Sequence, residues 1–286
     1  MEYRFLRFPG GKFKAVTLSY DDGLHADIRL SETISKYGMK CTFNVCSGLI
    51  RENDGEPNLS ANDIRRHLLS AGHEIAVHGR MHKAPGLITP AECATEILDC
   101  RRSLEKEFGM IIRGMAYPDS GIRVITSGTS VQKIYDVLSS VGIVYARTTE
   151  ECASFALPDD WYNWKPTVHN VDPKVMEYAE EFMKLDKTKL YVSRQWPKLF
   201  YMWGHSPEFN RFDNWELLDR LGELFSQSDD IWYATNMEIY EYVTAYDSLV
   251  FSLSGDLVYN PTTIDVWFEL DGKMFCVKSG ETLVLS

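Results

Sequence analysis

The sequence predicts an α/β barrel followed by a small β appendage, and three observations carry that prediction. Short apolar runs alternate with amphipathic stretches over roughly the first 240 of 286 residues, the pattern of strands each followed by a helix. About seven such units occur, more than most open sheets need and enough to close a barrel. From about residue 246 the texture changes to short strand-like runs separated by Asp-Gly and Ser-Gly turns, which are hairpin signals.

Taken in order, residues 14–20 read as a strand and 26–37 as a helix closed by Gly38. Residues 40–46 form the next strand. Ser60 opens a helix, with Asp63 three residues later as the second half of a capping box and Gly72 behind it. The strand at 74–77 runs straight into His78-Gly79-Arg80-Met81-His82. A helix at 90–108 leads to a strand at 111–117, and a helix at 131–141 to a strand at 143–147. Further on, a strand at 199–203 ends at Gly204-His205, followed by a helix at 215–225 and a strand at 231–234. Runs at 249–253, 264–270, 274–277 and 282–285 make the appendage. The chain therefore divides into a barrel, residues 1–240, and a β segment, residues 241–286, too small to be very stable alone.

Charge narrows the partners. Thirty basic against 41 acidic residues leave a formal charge of −11, with a pI near 5.2. Such a surface repels polyanions, so neither nucleic acid nor an anionic membrane is the expected partner. No apolar stretch approaches the ~18–20 residues of a membrane helix. The opening Met1-Glu2-Tyr3-Arg4-Phe5 lacks the apolar core of a signal peptide, which predicts a cytoplasmic location. The six cysteines form no CxxC pair. Cys93 and Cys100 fall in register with Ile97, Leu104 and Phe108 on one helix face, so free core thiols are expected.

In a barrel, reactive side chains come from loops after the strand ends, and the polar residues cluster there. In Asp21-Asp22-Gly23 two adjacent carboxylates diverge, so one can hold a metal while the other faces a substrate; the same tripeptide is also an ordinary turn. His78 and His82, four apart, can face one metal if their segment coils into a helical turn; otherwise the pair is incidental. Two histidines and one carboxylate are a common catalytic metal set that leaves positions open for water and substrate. His205 follows a late strand, where it is either structural or a general acid working near neutrality. His25, His67, His73 and His169 have no nameable partner and read as surface or core filling. The loop at 159–167 packs Trp161, Tyr162 and Trp164 together, either as a lid buried on the barrel or as a platform for sugar rings.

These residues resemble the polysaccharide deacetylases of the NodB-homology type, carbohydrate esterase family 4, over roughly residues 14–235. The resemblance implies a distorted (β/α)7 barrel that removes acetyl groups from N- or O-acetylated carbohydrates. It also implies one divalent metal, foremost Zn²⁺, although Co²⁺, Ni²⁺, Fe²⁺ and Mn²⁺ accept the same ligands. Ser19-Tyr20-Asp21-Asp22-Gly23 stands for the first motif, which makes Asp21 the general base acting on a metal-held water and Asp22 a metal ligand. His78 and His82 take the other two ligand positions, and His205 takes the acid. Ala116-Tyr117-Pro118-Asp119-Ser120 stands for an Arg-Pro-Pro-Tyr-Gly motif, so Tyr117, Pro118 and Asp119 are expected against substrate, with the Asp119 N–H in the oxyanion hole. Trp161, Trp164 and Trp203 are expected to line the sugar site.

Two departures stand out. The motif arginine that orients the base is Ala116 here, with Arg113 three residues too early, and Asp160 of the Asp-Trp motif is left without the arginine it would hold. Glu208, three residues after His205, is placed to orient it. An acetylated saccharide or other small amide is thus the expected partner, and a homo-oligomer is left open. The alternatives are a metal-dependent hydrolase of a cyclic amide or imide, and a catalytically silent carbohydrate-binding protein whose β segment serves as an interaction module.

Overall fold

The computed structural model describes residues 3–51 and 57–285. Its strands begin with β1 (Arg4–Arg7), β2 (Lys14–Asp22), β3 (Cys41–Val45), β4 (Glu74–Val77), β5 (Gly114–Ala116) and β6 (Tyr145–Arg147). They continue with β7 (Val168–His169), β8 (Lys198–Gly204) and β9 (Ile231–Tyr233). The last five are β10 (Val250–Phe251), β11 (Leu257–Tyr259), β12 (Val266–Leu270), β13 (Lys273–Val277) and β14 (Thr282–Val284). The helices are α1 (Asp27–Ser35), α2 (Ala61–Asp63), α3 (Pro90–Phe108) and α4 (Val131–Ser140). Then come α5 (Val175–Lys184), α6 (Pro207–Arg211), α7 (Glu216–Phe225) and α8 (Asn236–Asp247).

Parallel strands run in the order β6-β5-β4-β3-β2-β8-β7. The stretch from Trp164 to β7 joins the two ends of this row. The Trp164 N–H donates to Ala146 O (3.1 Å), the Thr148 N–H donates to Trp164 O (3.0 Å), and β7 pairs with β8. Seven strands thereby close a ring, the distorted (β/α)7 barrel expected for the fold class. The distortion lies at β2. Strand β8 occupies one edge of it along 14–20, while β3 takes the later part of the other edge and β9 the first three residues.

Period-two alternation decides what each face of the ring meets. Val16, Leu18 and Tyr20 of β2, with Phe43, Ile75, Met115, Phe200 and Met202 of its neighbours, pack outward against the helices. The intervening residues point inward and are largely polar: Thr17, Ser19, Asp21, Thr42, Asn44, Glu74 and Arg147, all buried. They survive burial because they bond one another, as in Asn44 Nδ2 to Ser19 Oγ (2.8 Å) and Thr17 Oγ1 to Asn236 Oδ1 (2.9 Å). At the base Trp164, Tyr145, Tyr201 and Leu199 plug the interior beneath α8.

Helix α3 shows how the outer layer is specified. Thr89 accepts from the Glu92 N–H in a full capping box, Pro90 fills the first turn, and Gly109 ends the helix at φ +67°. Cys93, Ile97, Cys100 and Leu104 are its buried stripe. All six cysteines are free, as expected. The expected box at Ser60 is also present, with the helix running on into a π-turn over Ile64–Leu69.

The appendage differs in composition from the sequence reading. Strand β1 pairs antiparallel with β12, Arg4 opposite Leu270, so the first residues of the chain join the last in one sheet, β1-β12-β13. A second sheet, β10-β11-β14, packs on it through Val258, Val266, Phe268 and Val277. Helix α8 runs across residue 240. Strands β1 and β7 are four and two residues long, too short for periodicity to register. No helix among the described residues is long and apolar enough to cross a membrane.

Candidate active site

Four strand ends meet at one mouth of the barrel. Strand β2 delivers Asp21 and Asp22, with Asp22 in the left-handed region at φ +79°. That conformation costs an L residue of order 1 kcal/mol or more and turns the Asp22 carboxylate away from that of Asp21. Beyond β4 the chain reaches His78 and His82 without a helical turn, contrary to the coiling expected from their spacing. Instead Gly79 (φ +75°) and His82 (φ +58°) bend it. Glu96 of α3 holds the bend: its carboxylate accepts from the Met81 N–H (2.8 Å) and its carbonyl from the Arg80 N–H (3.1 Å).

The result is convergence on one point. Asp22 Oδ1 lies 3.5 Å from His78 Nε2 and 3.4 Å from His82 Nε2, and the two rings are 4.9 Å apart. Ligands ~2.0–2.2 Å from a tetrahedral ion lie roughly 3.3 Å from one another, so these spacings fit a divalent cation. Asp22 Oδ1 is buried with no hydrogen-bond partner, a group that a cation would satisfy. His78 Nδ1 faces Ala116 O at 2.9 Å, which fixes the proton there and leaves Nε2 as the ligand atom. Burial pushes the His78 imidazole below its usual value, although Asp21 and Asp22 oppose this, and so favours the neutral ligand form.

Asp21 has a different environment. Its Oδ1 accepts from Asn44 Nδ2 (2.9 Å), and its Oδ2 is paired with the fully buried Arg147 of β6. Burial alone would raise its pKa; Arg147, with His78 and His205, outweighs that and holds the carboxyl below its ordinary value. Arg147 answers the vacancy at Ala116. The two residues are paired across β5 and β6, so their side chains leave the sheet on the same face, one strand spacing of ~4.8 Å apart. A guanidinium launched from residue 147 enters the same interior. Sequence reasoning looked for this cation near residue 116, although a strand ending in Arg147 was visible; only the register joins the two positions. Arg113 instead pairs with Glu241 (2.9 Å).

His205 follows β8. Its Nδ1 lies 3.3 Å from Glu208 Oε1, and its backbone N–H donates to Oε2 (3.0 Å). Burial would lower the imidazole, but Glu208, Asp21 and Asp22 hold it above its usual value. His169, read from the sequence as filling, lies with Nε2 3.1 Å from Glu208 Oε2.

The remaining expected residues divide. Asp119 is exposed at the mouth with φ +50°, a third left-handed non-glycine residue there. Pro118 beside it is buried. Tyr117 is buried, its hydroxyl donating to Tyr162 O (2.9 Å), which ties the motif loop to the aromatic loop. Trp164 is only 1% exposed and packs edge-on against Tyr145 and Tyr201, inside the barrel rather than at its mouth. Trp161 is half-buried against Trp164 and Tyr240. These placements follow the buried-lid reading of the loop, because its indoles pack on Tyr145, Tyr201 and Tyr240. Trp203 is also buried, under the Arg147 guanidinium (4.4 Å) and stacked on His169 (4.4 Å). Asp160 accepts from the Tyr162 N–H (2.8 Å) and the Tyr135 hydroxyl (2.9 Å), not from an arginine.

Fold and site together define a barrel whose mouth carries a cluster of two histidines and one carboxylate that could hold a metal ion, beside an ion-paired carboxylate. Residues 6–140 match the polysaccharide deacetylase family model. PuuE allantoinase shares the fold at TM-score 0.53 and 15% identity, covering 82% of this chain and 91% of that one. The carbohydrate esterase family 4 domain of a multidomain xylanase from the hindgut metagenome of Trinervitermes trinervoides aligns at TM-score 0.51 and 14% identity, covering 81% and 92%. Against Streptococcus pyogenes deacetylase PplD the chain spans 55% of that protein's length and 46% of its own, at 21% identity and TM-score 0.40. No curated protein matches the chain.

Proposed function

We propose that the chain is a metal-dependent hydrolase that removes acetyl groups from an N- or O-acetylated carbohydrate. The observation that carries this reading is the pair Asp21–Arg147 set against the cluster Asp22, His78 and His82, with His205 at the same mouth. When bound, a divalent cation such as Zn²⁺ supplies Lewis-acid polarisation and makes water acidic enough to ionise near neutrality. Asp22, His78 and His82 would hold it.

The chain's own residues do the rest. Asp21, kept ionised by Arg147 and aimed by Asn44, accepts the proton of the attacking water. The exposed backbone at Asp119 offers an N–H to the developing oxyanion, a donor that does not depend on the side chain. His205, protonated and oriented by Glu208, delivers a proton to the departing amine or alcohol. Arg147 supplies the charge missing at residue 116, so the cyclic amide or imide reading no longer draws on that vacancy; it keeps the support of the fold shared with PuuE allantoinase.

The test is acetate release from a panel of N-acetyl and O-acetyl sugars, with protein of known metal content, before and after chelation. Release that stops on chelation and returns with Zn²⁺ is the expected outcome. Turnover of imides but not acetyl sugars would move the substrate class. Metal binding without any turnover would leave a sugar-binding protein.

A further inference from the structure

A second cluster of potential ligands, His169, His205 and Glu208, stands across the mouth from the first. Its geometry is unlike that of Asp22, His78 and His82. In the first cluster both imidazoles approach one carboxylate oxygen and their rings are 4.9 Å apart, close to the roughly 5 Å expected for two histidines on one tetrahedral ion. In the second, His169 Nε2 meets Glu208 Oε2 (3.1 Å) while His205 Nδ1 meets Oε1 (3.3 Å), and the rings are 6.3 Å apart at 89°. The carboxylate lies between the imidazoles rather than beside them. That is the arrangement of a bridge.

We infer that His169 is a positioning residue: through Glu208 it fixes the orientation and tautomer of His205. The inference rests on the proposed role of His205 as the acid. An acid that delivers its proton from Nε2 must keep the other proton on Nδ1, so something must hold an acceptor at Nδ1. Glu208 Oε1 is that acceptor. At its other oxygen, Oε2, the carboxylate accepts from the His205 N–H (3.0 Å), and His169 Nε2 lies 3.1 Å away as a close ion-pair contact without a directed hydrogen bond. Burial alone would raise the Glu208 carboxyl, but His169 and His205 keep it well below the usual carboxylate range, so it stays an acceptor. His169 is itself held, since its ring stacks on Trp203 at 4.4 Å and 27°. The same indole lies under Arg147, which orients Asp21. One tryptophan thus supports the partners of both the base and the acid.

The test uses His169→Phe, which keeps a ring on Trp203 and removes the ring nitrogens, and His169→Gln, which keeps a donor near Nε2. The primary readout is the ¹⁵N spectrum of the His205 imidazole in protein loaded with one equivalent of Zn²⁺, assigned with His205→Gln. Neutral His205 should carry its proton on Nδ1 in the wild type. It should shift to a mixture of tautomers in H169F and return toward Nδ1 in H169Q. In a Glu208→Gln background H169F should change nothing further, because its effect passes through Glu208. Where the protein turns over an acetyl sugar, H169F should lower kcat about tenfold with KM within about twofold, the scale of losing an outer partner. An unchanged tautomer and kcat in H169F overturn the inference. So does a second equivalent of Zn²⁺ that wild type binds and H169F does not, since the cluster is then a cation site. The spectrum reports on His205 whatever the reaction is. Tautomer changes without acetate release would therefore retire the proposed function and leave this inference standing.

Discussion

Two carboxylates inside one barrel, Asp21 at the mouth and Glu74 at the base, are both buried and yet are driven in opposite directions. Asp21 is paired with a guanidinium and sits below its ordinary pKa. Glu74 has only neutral partners: the Tyr145 hydroxyl (2.6 Å), the Thr42 hydroxyl (2.7 Å) and the Met237 N–H at the start of α8 (2.9 Å). Burial outweighs these and raises it to about 7. Hydrogen bonds alone do not keep a buried carboxylate ionised here; a full positive charge does. The ionised carboxylate at the mouth is what the proposed proton abstraction requires, while the carboxyl at the base accepts from the start of α8.

The largest test of this contrast removes the charge. Arg147→Met leaves Asp21 buried and unpaired and should cost about 3–5 kcal/mol in urea unfolding, with turnover lost. Asp21→Asn/Arg147→Met should recover most of that stability and none of the activity. A single variant as stable as wild type would show that water reaches Asp21 and that the pair is not what orders it.

The second test uses pH. A carboxyl whose folded pKa lies above its unfolded one contributes fully below the unfolded value and loses that contribution as pH rises through the folded value. For Glu74 the window runs from about 4.5 to about 7. Across it, wild-type stability should fall relative to Glu74→Gln by about 3 kcal/mol, read from unfolding curves at pH 5 and pH 8. Asp27, also raised to about 7 by burial, should contribute in both proteins and cancel in the difference. Parallel pH profiles would mean that Glu74 is ionised and that the contrast with Asp21 fails.

Smaller effects separate the two ends. A Cβ on Gly114 would lie 2.2 Å from the Tyr145 hydroxyl and 2.7 Å from Glu74 Oε1. Gly114→Ala should therefore cost about 1–3 kcal/mol at the base, with Zn²⁺ affinity at the mouth unchanged by calorimetry. At the mouth, Asp119→Gly keeps the backbone N–H and relieves the left-handed strain, offset by a more flexible unfolded chain. Stability within about 1 kcal/mol of wild type and acetate release within a few-fold are expected; a large loss of kcat would give the Asp119 side chain a role of its own.

Much was legible before the structure. Strand and helix alternation, the box at Ser60, the free thiols and the hairpin turns of the appendage are local, and local sequence specifies them through periodicity and capping. Asp21, Asp22, His78, His82 and His205 were nameable because each lies at or just beyond the end of a strand, and parallel strands bring their carboxyl ends to one side. Other features were out of reach for a physical reason. Arg147 stands in for residue 116 only through lateral pairing of β5 with β6, and sequence spacing does not encode register between strands 31 residues apart. Trp164 looked like a sugar platform because composition says nothing about which way a loop folds; its burial follows from closure of the ring between β6 and β8. His169 had no partner in sequence because Glu208 lies 39 residues away and reaches it across β7 and β8. The sequence by itself determined most of the barrel's strands and helices, though not β1, β7, α5 or α8, and the chemistry available at the strand ends. Tertiary structure alone decided which charge meets which carboxylate, because those pairings are made across the barrel, between residues whose only link is the closed ring of strands.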